Sequence, residues 1–475
     1  MSAGSEIKFG TDGWRAVISD TFTFKNVEIL SQAISEWIGR DLVPQAHGPV
    51  RICVGYDTRF MSTDYAQLVS NVLAHNGITV LLSPSPIPTP ALSYGVTRTQ
   101  SLAGIMITAS HNPYKFNGIK IKTAKGGGAP QDITNKVESY LEKTPVRKGI
   151  FEDALKDQRI RWHDYLDDYL RFIKGYVDLK KIKNSRFKVL LDAMHGSGNS
   201  LMAQVLKGTK IRLSLMREDI NPWFDGKKPE PVVEFLHGIL ARVKKEKFDL
   251  GLVLDGDADR IAAVAPGGEF IHPQKILGLL ILHLVRNKKR KGGVVKTICG
   301  TTLIDHIAKK LGLKLHETPV GFKYISDLMV NERIVAGGEE AGGMGFQDYI
   351  PERDGTLAGL LLLEMMVYEK KNIKKIVADM EKEFGRYYYE RFDLKFEPGK
   401  GMFDVSQVKG LKEILGQKVV DMKDYDGVKL TCADESWLML RPSGTEPLVR
   451  AYSEAKSAKR AKELIQHGAS LLKKI

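Results

Sequence analysis

Hydrophobic and polar positions alternate along the chain in two repeating patterns. Short apolar runs rich in β-branched residues, such as VRICVGYD (50–57) and ITVLLSP (78–84), predict buried strands. Segments with helical periodicity stand between such runs, for example MSTDYAQLVSNVLAHNG (61–77). Strands that alternate with helices in this way predict an α/β fold.

The same rhythm returns further along the chain. It is seen in RFKVLLDAMHGSGN (186–199), FDLGLVLDGDADR (248–260) and GGVVKTICGTTLIDHIAKKLG (292–312). Each apolar run ends in Asp, Gly or another small polar residue, where open α/β sheets expose their loops. We therefore expect three similar α/β modules with mixed sheets. From residue 387 onward the pattern changes to strand and turn, which predicts a smaller α+β domain.

The length of the chain requires several domains. A single hydrophobic core stops growing beyond roughly 250 to 300 residues, and this chain has 475. The charged segment KTPVRKGIFEDALKDQ (143–158) and the turn APGGEF (265–270) interrupt the periodicity. We place the domains at residues 1–156, 157–267, 268–386 and 387–475.

Composition narrows the class of protein. Hydrophobic residues make up 43% of the chain and charged residues 27%, and no apolar run reaches the 18 residues that a membrane-spanning helix needs. The N-terminus MSAGSEIKFG has no apolar signal core, so we expect a cytoplasmic protein without a membrane partner. Only Cys53, Cys299 and Cys432 occur, and their wide spacing argues against a disulfide frame and a structural zinc site.

The net charge of +14 suits an anionic partner, either nucleic acid or a phosphorylated small molecule. Much of the lysine lies in helix-like segments, where a solvated face explains it. The chain has no basic tail and no basic stripe interleaved with aromatic residues, so we expect no nucleic-acid partner.

A serine lies in the predicted loop between the apolar run LAGIMI (102–107) and the segment NGIKIK (117–122). We expect Ser110 to be exposed and held by rigid strands, as a phosphoryl or acyl carrier requires, although a plain turn also permits such a serine. Thr108 and Asn112 occupy the glycine positions of a Gly-x-Ser-x-Gly hydrolase elbow, which argues against that chemistry. His111 follows the serine directly and is poorly placed to act as its base.

Three carboxylates alternate with small residues in GLVLDGDADRIAAVA (251–265). Asp255, Asp257 and Asp259 repel one another unless a cation gathers them, and oxygen ligands favour Mg²⁺. An EF-hand would need Gly and Glu where Arg260 and Pro266 stand, so calcium is disfavoured. A solvated acidic turn is the alternative. Arg260 would orient a carboxylate or meet a substrate anion.

Near the C-terminus, SWLMLRPSGTEPLVRAYSEA (436–455) predicts strand, loop and strand with several hydrogen-bond donors. The residues that suit a phosphate are Arg441, Ser443, Gly444, Thr445 and Arg450. A surface turn with an ion pair to Glu446 is the alternative. No Gly-Lys-Ser or Gly-Lys-Thr occurs, so a Walker P-loop is excluded.

A second acidic loop lies in VAGGEEAGGMGFQDYIPERDG (335–355). Glu339 and Glu340 stand among glycines after a short apolar run, where carboxylates suit the vicinal hydroxyls of a sugar. A helix N-cap region would explain the stretch equally well. TPVGFKYI (318–325) adds Lys323 on a glycine-containing turn.

Together these segments resemble the α-D-phosphohexomutases. The matching motifs are FGTDGWRA (9–16), TASHNP (108–113), DGDADR (255–260), TPVGFKYI (318–325), GEEAGG (338–343) and RPSGTEPLVR (441–450). They follow one another in order from residue 9 to residue 450, nearly the whole chain. The resemblance implies four domains around a central cleft, each of which contributes one loop.

The resemblance also implies a role for each loop. Ser110 would be carried as phosphoserine, with Mg²⁺ held by Asp255, Asp257, Asp259 and a phosphoryl oxygen on Ser110. Arg15 and Lys120 are expected near the phosphoserine. Lys120 is the candidate general acid/base, with Lys323 or His111 as alternatives. The remaining roles concern the substrate: the sugar loop would read hydroxyls through Glu339 and Glu340, and the distal phosphate would be held by Arg441, Ser443, Thr445 and Arg450.

The implied reaction interconverts a hexose 1-phosphate and a hexose 6-phosphate through a bound 1,6-bisphosphate, with glucose 1,6-bisphosphate as activator. The opening motif and GEEAGG look more like the glucose and mannose members, whereas RPSGTEPLVR is also similar to that of phosphoglucosamine mutases. Ala341 stands where the resemblance leads us to expect a serine.

The other hypotheses are a magnesium-dependent phosphatase that uses Ser110 and a binding module without turnover. We expect a monomer or a homodimer.

Overall fold

The computed structural model describes residues 6–46, 48, 50–395, 404–442 and 448–473. Four sheets follow one another along the chain. The predicted class, three similar α/β domains and a smaller C-terminal α+β domain, is confirmed. None of the helices among the described residues is long and apolar enough to cross a membrane.

The first sheet has six strands in the order β1-β5-β4-β2-β3-β6. Its strands are β1 Trp14–Val17, β2 Arg51–Tyr56, β3 Thr79–Leu82, β4 Ala103–Ile107, β5 Phe116–Thr123 and β6 Ile160–Trp162. Its helices are α1 Phe24–Trp37, α2 Ser62–His75, α3 Thr89–Arg98, α4 Gln131–Ser139 and α5 Phe151–Lys156. Because β6 pairs with β3, a first domain defined by its sheet extends past residue 156, the predicted boundary.

The second sheet has the order β11-β10-β9-β7-β8. Its strands are β7 Lys188–Asp192, β8 Arg212–Met216, β9 Leu250–Leu254, β10 Ile261–Ala265 and β11 Glu269–Ile271. Its helices are α6 Leu166–Tyr176, α7 Leu179–Ile182, α8 Leu201–Leu206 and α9 His237–Glu246.

The third sheet has the order β13-β12-β14-β15. Its strands are β12 Gly293–Thr297, β13 Leu315–Thr318, β14 Ile334–Gly338 and β15 Met344–Phe346. Its helices are α10 Pro273–Leu282, α11 Thr302–Leu311, α12 Phe322–Asn331, α13 Gly355–Glu369 and α14 Ile373–Phe384. Helix α13 is apolar on all sides and buried through most of its length, which makes it a core helix.

One four-strand unit repeats in these three sheets. Three parallel strands are followed by an antiparallel one, in the orders β5-β4-β2-β3, β10-β9-β7-β8 and β15-β14-β12-β13. The serine loop, the aspartate loop and the Glu339 loop each connect the third parallel strand to the antiparallel strand. Because the carboxyl end of that strand opens onto the ligand side of an α/β sheet, the repeat places all three loops in equivalent positions.

The C-terminal domain is a six-stranded antiparallel sheet in the order β16-β21-β20-β19-β18-β17, with one helix. Its elements are β16 Tyr388–Lys395, β17 Glu413–Ile414, β18 Gln417–Lys423, β19 Val428–Cys432, β20 Trp437–Pro442, β21 Leu448–Ala455 and α15 Ala458–Lys473. It has a hydrophobic core of its own. It docks on the third domain, where Lys429 Nζ donates to the carbonyl of Ile298 over 2.7 Å.

Candidate active site

The serine of this loop is buried, and one arginine braces the loop. Ser110 is inaccessible to solvent, in contrast to the exposed position expected from the sequence, because the aspartate loop lies directly against it. Ser110 has a φ of +51°, a backbone conformation that residues other than glycine rarely adopt. The guanidinium of Arg59 donates to four carbonyls of the loop, those of Ser110, Asn112, Pro113 and Phe116, and so holds this strained turn.

The three aspartates of the second module meet the serine. Ser110 Oγ donates to Asp255 Oδ2 over 2.9 Å. All three carboxylates are buried, and their ligand atoms lie within 4.8 Å of one another. Burial, with repulsion from Asp259 and Asp257, raises the pKa of Asp255 well above its usual value. Burial would also raise the pKa of Asp257, but the ammonium of Lys120 holds it below that value.

Residues of this cluster fit a divalent cation. The Oδ1 atoms of Asp257 and Asp259 are buried and have no hydrogen-bond partner among the described residues. An unpaired buried carboxylate oxygen costs free energy, and a hard cation such as Mg²⁺ would satisfy both atoms. The described part of the chain contains one group of three such ligands, and it is this one.

Lys120 lies opposite the aspartates on β5. Its ammonium contacts Asp257 Oδ2 at 2.8 Å, Asp12 Oδ2 at 2.9 Å and Asp259 Oδ2 at 3.0 Å. Burial would lower the pKa of Lys120, but the three carboxylates, Asp12 first, raise it above its usual value. Lys120 therefore stays charged in this arrangement and neutralises the cluster.

Arg353 joins loops of all three α/β modules. Its guanidinium is buried and donates to Asp12, to Asp259 Oδ2 at 2.7 Å and to Glu339 Oε2 at 3.0 Å. Burial would raise the pKa of Asp12, but Lys120 and Arg353 lower it well below its usual value. Asp12, Lys120 and Arg353 thus form one charge network behind the three aspartates.

The two glutamates of the predicted sugar loop have different surroundings. Glu339 is held by Arg353, and its pKa is raised by burial. Glu340 is buried as well, and its Oε2 atom has no hydrogen-bond partner within the described structure. Its charge acts on Cys299 and on Tyr452 of the C-terminal domain. Only Glu339 is therefore tied into the network around Ser110.

Two further predicted residues, Arg15 and His111, lie next to Ser110 or to its loop. Arg15 Nη1 donates to Asn112 Oδ1 over 3.0 Å, two residues from Ser110. His111 lies with its Nε2 atom 4.0 Å from Glu230. Burial and the neighbouring cations, Arg260 and Arg15 first, lower the pKa of His111 well below its usual value. His111 is therefore neutral around pH 7.

Lys323 lies in the first turn of α12, where the sequence predicted a turn. It donates to Gln131 over 2.9 Å. It also lines a cavity of about 20 Å³, together with Asp12, Gly13 and Arg353. Lys323 therefore borders the charge network at Asp12 and Arg353.

The predicted phosphate loop is described at its two ends. Arg441 on β20 donates through Nε to Asp426 over 2.7 Å, and Arg450 on β21 lies 3.6 Å from Asp393. The two arginines are cross-strand partners. Ser443, Gly444 and Thr445 lie outside the described residues.

Three residues that shape this site were not assigned a role from the sequence. Asp12 lies in the opening motif and Arg353 in the segment after the sugar loop, so the motifs contained both. Arg59 follows β2 in the segment Asp-Thr-Arg, at the carboxyl end of a buried strand. Its position after that strand was the signal that marked a loop near the site.

Family models for four consecutive domains match the chain. They are described as alpha/beta/alpha domains I, II and III and the C-terminal domain of phosphoglucomutase/phosphomannomutase. The matched residues are 6–147, 167–268, 272–384 and 394–468.

Curated relatives match over nearly their full lengths. A phosphoglucomutase/phosphomannomutase of Thermococcus kodakarensis is 29% identical, with 98% of each chain covered. A phosphoglucosamine/phosphogalactosamine mutase of Sulfurisphaera tokodaii is 30% identical, again with 98% of each chain covered.

Solved structures show the same fold. A Thermus thermophilus protein described as a phosphomannomutase has a TM-score of 0.86 and 32% identity, over 98% of this chain and 99% of that one. The N-acetylphosphoglucosamine mutase of Aspergillus fumigatus, solved with GlcNAc-6P and magnesium, has a TM-score of 0.59 and 16% identity, over 99% of this chain and 96% of that one. With four domains matched in order and a relative 30% identical over 98% of the chain, the protein belongs to the phosphoglucomutase/phosphomannomutase family.

Proposed function

We propose that the protein interconverts hexose 1-phosphate and hexose 6-phosphate, with glucose as the preferred sugar and mannose as a second substrate. The observation that carries this proposal is the 2.9 Å contact between Ser110 Oγ and Asp255 inside a buried cluster of three aspartates. A serine held in that position can carry a phosphoryl group next to a cation. The expected cation is Mg²⁺, held by Asp255, Asp257, Asp259 and a phosphoryl oxygen on Ser110.

In the proposed reaction, phosphorylated Ser110 gives its phosphoryl group to the free hydroxyl of the sugar phosphate. The P–O bond to Ser110 breaks as the bond to the sugar oxygen forms, the hydroxyl proton passes to a base on the enzyme, and an acid on the enzyme returns a proton to the leaving Ser110 oxygen. The bisphosphate then reorients and returns its other phosphoryl group to Ser110. Bound Mg²⁺ would supply charge stabilisation to the phosphoryl group in both transfers. Glucose 1,6-bisphosphate is the expected activator because it can phosphorylate free Ser110.

Lys120 and Arg15 are assigned to the reacting end of the substrate. Lys120 is our candidate for the general acid/base. Its ammonium lies among the acidic groups that face Ser110 and can act as the acid, and a cation bound at the aspartates would lower its pKa so that it can also act as the base. Neutral His111 is the second candidate: its ring carries no extra proton, but its lowered pKa makes it a weak base. Glu339 would accept hydrogen bonds from sugar hydroxyls. The distal phosphate is assigned to Arg441, Arg450, Ser443, Gly444 and Thr445, with Arg260 and Lys323 as further cations near the substrate.

The names of the relatives favour transfer over hydrolysis. Curated relatives that match over nearly their full lengths are mutases, so the phosphatase alternative is disfavoured. Phosphoglucosamine mutase activity remains the second candidate, since a relative at 30% identity carries that name.

The proposal is tested by parallel assays on glucose 1-phosphate, mannose 1-phosphate and glucosamine 1-phosphate, with Mg²⁺ and a trace of glucose 1,6-bisphosphate. Both 6-phosphate product and free phosphate are measured. We expect 6-phosphate without free phosphate, and the highest rate with glucose 1-phosphate. A higher rate with glucosamine 1-phosphate would replace the sugar assignment, and release of free phosphate alone would replace the mutase by a phosphatase.

A further inference from the structure

One face of the C-terminal sheet carries three arginines on neighbouring strands. Arg441 on β20 is the cross-strand partner of Arg450 on β21, and Arg450 is in turn the partner of Asp393 on β16. Arg391 is two residues before Asp393 and therefore on the same face. Cross-strand partners and residues two apart share one side of a sheet, so the three guanidinium groups belong to one surface.

Asp393 holds two of these arginines together. It accepts from Arg391 Nε at 2.9 Å and from Arg391 Nη2 at 2.8 Å, and it lies 3.6 Å from Arg450 Nε. A carboxylate between two guanidinium groups offsets their mutual repulsion and fixes the plane of each fork. Asp426 pairs with Arg441 in the same way. Three guanidinium groups thus share one surface and carry more N–H donors than Asp393 and Asp426 use, and such donors suit an anion.

This surface faces the site around Ser110. The backbone N–H of Val320 in the third domain donates to the same Asp426 that binds Arg441. Arg391 also lies close enough to two other loops to act on them electrostatically. Together with burial, Arg260 and Arg15, it lowers the pKa of His111 beside Ser110, and its own charge is favoured by Glu340 of the sugar loop.

We propose that Arg391 is a third arginine of the phosphate-binding surface and binds the phosphoryl group remote from Ser110, together with Arg441 and Arg450. This inference rests on the proposed function. The side chain of Arg391 is 33% exposed, so a ligand can reach it. Two of its three nitrogens hold Asp393, which orients the fork before the phosphate arrives.

The inference is tested by calorimetric titration of glucose 6-phosphate into a Ser110→Ala background, which binds but cannot transfer. Arg391→Gln removes a charged hydrogen-bond donor, so affinity is expected to fall roughly 10- to 100-fold. Arg391→Lys keeps the charge but loses the fork, so an intermediate affinity is expected. Arg242→Gln is the matched control: Arg242 is 36% exposed and pairs with Glu246 and the carbonyl of Leu215, neither of which belongs to the site, so its loss should leave affinity unchanged.

A pH series separates phosphate binding from a structural role. The phosphate monoester becomes a dianion as pH rises through about 6, so affinity in the Ser110→Ala background should rise between pH 5 and pH 7. In Arg391→Gln this rise should be smaller, because one of the cations that favour the dianion is gone. An equal loss of affinity at both pH values would show that Arg391 only supports the fold and would overturn the inference.

The remaining outcomes distinguish the inference from the function on which it rests. If the wild type isomerises hexose phosphates and Arg391→Gln binds glucose 6-phosphate as tightly as its parent, the assignment of Arg391 is wrong and the mutase stands. If the wild type neither isomerises nor binds any hexose phosphate, the proposed function falls, and the assignment of Arg391 falls with it.

Discussion

At the scale of single residues, the site is organised by buried cations that hold carboxylates together. Lys120 lies within ion-pair distance of three carboxylates and Arg353 of four, and Asp12 and Asp259 are shared by both. A buried ion pair contributes little net stability, but the removal of one partner leaves a buried charge without compensation, which is strongly destabilising. The residues around Ser110 therefore depend strongly on one another.

Replacing Lys120 by Ala should show whether its ammonium and Mg²⁺ compete for the same carboxylates. Lys120→Ala leaves Asp12, Asp257 and Asp259 without the ammonium that they share. In the absence of metal, the free energy of unfolding of this variant should therefore fall by roughly 3–5 kcal/mol. Because Mg²⁺ can restore the lost positive charge, the rise in melting temperature on addition of Mg²⁺ should be larger in the variant than in the wild type.

The control for this measurement is Lys122→Ala on the same strand. Lys122 is also buried, but it is paired with Glu352 instead of the aspartate loop. Its loss should lower the melting temperature without changing the rise that Mg²⁺ produces. An equal Mg²⁺ effect in Lys120→Ala and Lys122→Ala would contradict the account.

Some of these residues could be identified from the sequence, and others could not. Ser110 and the three aspartates lie in short motifs, where each loop is contiguous and its chemistry is visible in a few residues. Asp12 and Arg353 contact each other across 341 positions of the chain. Only the packing of three modules creates that contact, so local patterns cannot reveal it. The burial of Ser110 was missed for the same reason, because the loop that covers it belongs to another module.

At the scale of single elements, the sugar loop depends on the absence of a side chain at Gly343. A Cβ atom there would lie 2.2 Å from Arg353 Cδ, which real contacts do not allow. Gly343→Ala should therefore displace Arg353 from Glu339 and Asp259. Because a shift of about 1 Å in a catalytic group can reduce turnover roughly 100-fold, we expect a loss of that order in steady-state assays.

Gly175→Ala is the matched control for the loop variant. Gly175 lies in α6 with no neighbouring atom within 4 Å of an added Cβ. The substitution should leave turnover unchanged and stabilise the helix by up to about 1 kcal/mol. Equal turnover in the two glycine variants would show that Arg353 does not have to stay in place.

The start of helix α10 predicts a pH dependence of stability. His272 caps this helix by accepting the N–H of Gln274, which requires a neutral ring nitrogen. Burial and the charge of Lys275 lower the pKa of His272 to about 4. Because this value lies below the ordinary value of about 6.5, the stabilisation is fully present above pH 6.5 and is lost as pH falls toward 4.

The expected loss is about 3 kcal/mol, from the difference of the two pKa values at 1.36 kcal/mol per unit. The measurement compares urea unfolding of the wild type and of His272→Asn between pH 7 and pH 4. Asn keeps a capping oxygen but does not titrate. The wild type should lose stability relative to the variant as pH falls, and parallel curves would contradict the assignment.

At the scale of the whole molecule, one repeated unit explains why distant motifs meet. The same four-strand order occurs in three sheets, and each places its loop after the third parallel strand. This repeat could be expected from the alternating pattern of the sequence. The way in which the modules face one another could not, because it depends on side chains such as Arg353 that join three loops.

Arg353→Met should therefore weaken the assembly of the modules as well as the site. The variant leaves Asp12, Asp259 and Glu339 without their shared partner, so a loss of roughly 3–5 kcal/mol is expected in unfolding experiments. Arg286→Met is the control, since Arg286 makes a two-point pair with Glu383 at the surface and its loss should cost at most about 1 kcal/mol. Similar losses in the two variants would contradict the buried network as a joint between modules.

In the proposed reaction, Ser110 donates a phosphoryl group to the sugar phosphate and accepts another from the bisphosphate. The most direct test incubates the protein with Mg²⁺ and glucose 1,6-bisphosphate, removes the sugar, locates phosphate by peptide mass spectrometry, and then adds glucose 1-phosphate. We expect phosphate on Ser110, its transfer to the sugar without free phosphate, and neither event in Ser110→Ala. Phosphate at another residue, or its release into solution as free phosphate, would contradict the account.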